Sequence, residues 1–93
     1  MRRIERSSAF RRDFKRIVSA PRHRDAPRLL AEAVELLAND KPLPERNRDH
    51  QLAGGWAGYR ECHVKSDLLL IYRKPSGALY LARLGTHSDL FQK

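Results

Sequence analysis

Residues 59–85 read YRECHVKSDLLLIYRKPSGALYLARLG, and this stretch decides the fold. Its centre, Leu68-Leu69-Leu70-Ile71-Tyr72, is the longest apolar run in the chain and has the length of a strand. A tight turn is expected at Ser66-Asp67, with one strand over 59–65 before it and another over 68–73 after it. Lys74-Pro75-Ser76-Gly77 suits a type I turn, with proline second and glycine fourth. A third strand is expected over 78–84, broken by Gly85, and Ser88 to Phe91 could add one helical turn. Three strands joined by tight turns make an antiparallel meander.

Upstream of the meander the period changes. Phe10, Phe14, Ile17 and Val18 follow the spacing of one helical face, with Ser7 or Ser8 as N-cap and Pro21 ending the helix near Ser19. Arg11, Arg12, Lys15 and Arg16 occupy much of the remaining surface. Asp25 can cap a second helix with Pro27 in its first turn, and Leu29, Leu30, Ala33, Leu36 and Leu37 form its buried stripe. Asn39, Asp40 and Pro42 stop it, and the short link predicts an antiparallel helical hairpin. Residues 2–5 could form a short strand, and another is expected around His50-Gln51-Leu52 within a loop rich in proline, glycine and charge. The expected fold class is α+β: a short N-terminal strand and a helical hairpin packed on a twisted, mainly antiparallel small sheet, with residues 1–93 forming a single domain.

With 93 residues the chain has room for one small core. A hydrophobic fraction of 41% and a charged fraction of 32% mark a globular composition. No apolar run approaches the roughly 18 residues that span a bilayer, so no membrane role is expected. The first residues lack the apolar stretch of a signal peptide, and the single cysteine, Cys62, excludes an internal disulfide framework; both fit the cytoplasm. Net charge is +8, and the first 28 residues hold ten Arg/Lys against three acids. A basic excess confined to one segment points to a polyanionic partner, either nucleic acid or an acidic protein.

Four histidines are present. His23 lies in the basic hairpin with no evident partner, whereas His50, His63 and His87 fall in the loop-and-sheet half. Metal-free RNA cleavage needs a base for the 2′-hydroxyl, an acid for the leaving 5′-oxygen and a fixed cation for the phosphorane. Histidine, with an ordinary pKa of about 6.5, serves as either proton carrier, and the forked guanidinium of arginine suits phosphate. Separate histidines in a small protein are more often hydrogen-bonded structural residues, so this inventory alone does not establish a site. A zinc site from His50, His63, His87 and Cys62 is not expected: neighbours on a strand point to opposite faces, and no CxxC or HxxxH pair exists. Val64 shares a face with Cys62 and gives the thiol a core setting.

An ordered series of motifs narrows the reading. Asp49-His50-Gln51-Leu52, Gly55-Trp56-Ala57-Gly58-Tyr59-Arg60-Glu61-Cys62-His63, Asp67-Leu68-Leu69-Leu70-Ile71-Tyr72-Arg73 and Arg83-Leu84-Gly85-Thr86-His87-Ser88-Asp89-Leu90-Phe91 closely resemble the YafQ branch of the RelE-type toxins. The resemblance covers residues 42–91; residues 1–41 agree in length and helix pattern. It implies a toxin of a bacterial type II toxin–antitoxin system, a ribosome-dependent endoribonuclease that cuts translated mRNA in the A site and needs no metal or other cofactor. It implies catalytic roles for His50, His63, Asp67 and His87, with His87 as general acid and His50 or His63 with Asp67 on the 2′-hydroxyl side. Arg83 would hold the phosphate and Phe91 would press on a base or the backbone. Arg11, Arg12, Lys15 and Arg16 would meet ribosomal RNA. The implied partners are the ribosome and a DNA-binding antitoxin encoded next door, the toxin–antitoxin complex sitting on operator DNA. Two other readings stand beside it: a non-catalytic nucleic-acid-binding module whose histidines are structural, and a gyrase-directed toxin of the ParE type, which resembles the chain in layout but generally lacks the histidine set.

Overall fold

The computed structural model describes residues 1–91. The meander forms as the turns dictate: β3 (Arg60–Lys65), β4 (Leu68–Arg73) and β5 (Ala78–Gly85) are successive antiparallel neighbours. Gly77 closes the β4–β5 turn at φ +70°, a left-handed conformation that a β-carbon would strain. The short strand β1 (Arg3–Arg6) pairs parallel with β5, and β2 (His50–Gln51) pairs antiparallel with β3. The sheet order is therefore β1-β5-β4-β3-β2, mixed at one edge.

Helix α1 (Ser8–Val18) starts where Ser7 accepts a hydrogen bond from the Phe10 N–H. Helix α2 (Ala26–Ala38) follows a single 3-10 turn over Pro21–His23. Asp25 precedes α2 but makes no side-chain cap bond; its carboxylate accepts from Lys65 Nζ at 2.7 Å instead. The two helices cover one sheet face, where Phe10, Ile17, Leu30 and Leu37 pack against Cys62, Leu70, Tyr72, Leu79, Leu81 and Leu84. On the opposite face a smaller apolar floor of Leu69, Ile71, Ala82 and Leu90 is rimmed by Trp56, Tyr59, Tyr80 and Phe91. Helix α3 (His87–Leu90) folds back over that floor.

Some expectations are corrected. The inward residues of α1 are Phe10, Asp13 and Ile17, whereas Val18 is 39% exposed and Phe14 only partly buried. His23 is buried at 2% exposure, with Arg22 Nε donating to its Nε2 at 3.3 Å. Gly85 does not break β5 but ends it, and it is absent from the left-handed glycines. Its role is space: a β-carbon there would lie 3.0 Å from Asp89 Cβ and 3.1 Å from its Oδ2.

Candidate active site

Strand register decides which side chains share a face. Across the sheet His50 pairs with Glu61, Glu61 with Ile71, and Ile71 with Arg83. One step along, His63 pairs with Leu69 and Leu69 with Gly85, two residues before His87. The two rows belong to the face away from α2, at the end of the sheet where β3 and β5 finish. Asp67 lies at that same end, in the β3–β4 turn. His63 and Gly85 are separated by two strand intervals, about 10 Å.

The surroundings of each residue differ. His50 is exposed, but both ring nitrogens are engaged. Nδ1 lies 2.7 Å from the Arg48 carbonyl, and a carbonyl only accepts, so Nδ1 carries a proton. Nε2 lies 3.3 Å from Oε1 of Glu61, a carboxylate buried at 5% exposure. Arg48 reaches this position through a left-handed backbone, φ +49°. Asp49 anchors the segment by accepting from Arg60 Nε at 3.3 Å and from the Tyr72 hydroxyl. Burial, together with Asp49, pushes the Tyr72 hydroxyl well above its ordinary range, so it remains the donor.

His63 is half-buried, its main-chain carbonyl accepts from Asn47 Nδ2 at 2.6 Å, and its ring makes no hydrogen bond among the described residues. It lines a groove with Glu45, Arg46, Arg48 and Ser66. Asp67 is exposed. Cys62, next to His63, points to the helical side and is fully buried; burial, with Asp49 and Glu61 nearby, pushes its thiol up to about 12 and removes it as a nucleophile or ligand.

His87 is exposed at the first position of α3. A reciprocal cap holds that turn: Asp89 N–H donates to Thr86 Oγ1 at 3.2 Å, and Thr86 N–H donates to Asp89 Oδ2 at 3.0 Å. The Phe91 ring lies 5.1 Å from the His87 ring, centroid to centroid. Arg83 is bound on two of its three nitrogens by Asp13, from Nε at 2.7 Å and from Nη2 at 3.2 Å. Of the basic residues on α1, Arg11, Arg12 and Lys15 are exposed, while Arg16 lies 3.4 Å from both Asp13 and Asp89.

His50, His63 and Asp67 thus come from β2, β3 and the β3–β4 turn, and Arg83, His87 and Phe91 from β5, α3 and the residue that follows α3. Of the basic residues of α1, Arg16 reaches this group through Asp13 and Asp89, whereas Arg11, Arg12 and Lys15 face solvent. Sequence reasoning missed Glu61 and Asp13, the two buried acids behind His50 and Arg83. Among the described residues no three His, Cys, Asp or Glu side chains come close enough together to hold a metal ion.

The pattern of the family described as "Bacterial toxin of type II toxin-antitoxin system, YafQ" matches residues 2–92. The chain is similar to the mRNA interferase toxin YafQ of Escherichia coli strain K12, 40% identical over 90 residues spanning 97% of this chain and 96% of that protein. Among solved structures it is similar to a metal-bound toxin from Helicobacter pylori: 42% identity, 98% of this chain, 100% of that one, TM-score 0.89. It is likewise similar to a chain of the E. coli DinJ–YafQ toxin–antitoxin complex: 40% identity, 98% of this chain, 99% of that one, TM-score 0.83.

Proposed function

The chain belongs to the YafQ family of bacterial type II toxins, and from that premise we infer that it cuts translated mRNA in the ribosomal A site. It is an mRNA interferase, an endoribonuclease with a cognate antitoxin. The carrying observation is the family match over residues 2–92, which takes in His50, His63, Asp67, Arg83, His87 and Phe91.

The chemistry follows from the groups at that end. The 2′-oxygen gives up its proton and bonds to the adjacent phosphorus, the bond to the 5′-oxygen breaks, and that oxygen takes a proton. The products are a 2′,3′-cyclic phosphate and a 5′-hydroxyl. His87, exposed beside Phe91, donates the proton to the leaving oxygen. His63 takes the first proton: its ring makes no hydrogen bond among the described residues, whereas the two ring nitrogens of His50 lie against the Arg48 carbonyl and Glu61. Asp67 orients the base side. The Arg83 nitrogen that Asp13 leaves unbound contacts the phosphate. Phe91 packs on a base or the backbone.

Arg11, Arg12 and Lys15 contact ribosomal RNA phosphates, which gives salt-sensitive docking with little sequence preference. The antitoxin is a DNA-binding protein encoded beside the toxin, and the complex sits on operator DNA. The toxin acts in the cytoplasm, and no helix among the described residues is long and apolar enough to cross a membrane. In vitro translation of a defined message followed by primer extension tests the reading. In-frame cuts are expected only when ribosomes are present. Cuts on naked RNA, or none on either, overturn it.

A further inference from the structure

Asp13 sits on the inward face of α1, 5% exposed, between Phe10 and Ile17. A carboxylate at such a position requires partners. It has three: the Arg83 guanidinium at 2.7 and 3.2 Å, the main-chain N–H of Leu84 at 2.9 Å, and Arg16 at 3.4 Å. Burial alone would raise its pKa, but Arg83, the Leu84 N–H and Arg16 outweigh that and hold the carboxyl below its usual range.

The topology explains why an acid is needed there. β1 ends at Arg6, opposite Leu81, so the rest of β5 has no strand on that side. α1 takes over that edge. Ser7 Oγ donates to the Ala82 carbonyl at 2.7 Å, and Asp13 accepts from the Leu84 N–H. Arg83 lies between these two contacts. Arg16 continues the line to Asp89 Oδ2, the atom that caps Thr86 next to His87.

We propose that Asp13 is a positioning residue for RNA cleavage: it aims the Arg83 guanidinium at the phosphate and, through Arg16 and Asp89, steadies the turn that carries His87. The proposal rests on the functional reading above. A free arginine samples many rotamers, and a reacting group misplaced by 1 Å costs on the order of 100-fold in rate. Gripping two of three guanidinium nitrogens fixes the direction of the third before RNA arrives.

Asp13→Asn keeps the shape and an oxygen for the Leu84 N–H but removes the charge that grips Arg83. Single-turnover cleavage on programmed ribosomes is expected to slow about 10- to 100-fold, while ribosome affinity changes less than about twofold. In the Arg83→Gln background the same change is expected to cost clearly less than it does alone, because most of its effect passes through Arg83 and only the route through Arg16 and Asp89 remains. Ser7→Ala removes the neighbouring contact on the same edge; it is expected to melt earlier yet cut at the normal rate. If Asp13→Asn does not fold, Asp13→Glu takes its place, shifting the charge by one methylene, with slower cutting at unchanged affinity expected. A full rate in the variant that folds, losses that multiply with Arg83→Gln, or an equal slowing in Ser7→Ala each overturn the proposal. If the unmodified protein cuts nothing, the functional reading fails and this one falls with it; normal cutting by both overturns the positioning role alone.

Discussion

His87 follows a glycine that lets α3 lie against the end of β5, and its ring stays open to solvent beside Phe91. A group that only hands a proton to the leaving oxygen acts in the transition state and contributes little to ground-state binding. His87→Ala is therefore expected to lower the single-turnover rate by about 10²–10⁴ with little change in ribosome affinity. A normal rate with a lowered thermal midpoint would instead make His87 a structural histidine. The residues with a motif around them were legible in the sequence; their buried supports were not. Asp13 is one acid in a helix full of arginine and lysine, which reads as surface charge, and its partner Arg83 stands 70 positions away. Glu61 alternates with apolar neighbours on a strand, where an acid ordinarily faces water. Only the pairing of β2 onto β3 sets His50 against it.

At the scale of elements, α1 has two electrostatic tasks, and its arginines divide between them. Arg11, Arg12 and Lys15 face solvent, while Arg16 belongs to the line joining Asp13 to Asp89. Replacing Arg11, Arg12 and Lys15 together with Gln should weaken ribosome binding and flatten its dependence on salt, with folding intact. Arg16→Gln should lower the cleavage rate more than the affinity. Binding that is unchanged by the triple replacement at moderate salt would assign the basic face another use. At the end of β5, Gly85→Ala forces a β-carbon against Asp89 and should cost about 1–3 kcal/mol, read as a lower thermal midpoint. Strand and helix order were readable because turn residues and hydrophobic period agreed along the chain. The parallel pairing of β1 was not: four residues carry too little pattern to name a partner at the far end of the chain.

For the whole molecule, titrating groups set a response to acid. Burial, then Lys65 and Arg22, lower the pKa of His23, so between its folded value and about 6.5 the unfolded chain binds the extra proton. Stability should be flat between about pH 6.5 and 8 and decline below about 6.5, and His23→Gln should remove that lower slope. Asp13, Asp25, Asp40 and Asp89 are all held below their usual range by cations and N–H donors. Their contribution is present above about pH 4 and lost as pH falls through the folded values, which predicts a second, steeper decline. Thermal melts at a series of pH values check both slopes. β5 lies between β1 and β4, so the first strand made waits for one of the last. Arg83, His87 and Phe91 all follow or end that late strand, and chains emerge at roughly 5–20 residues per second. A nascent chain therefore lacks its full five-strand sheet, and the segment carrying Arg83 and His87, until β5 has emerged.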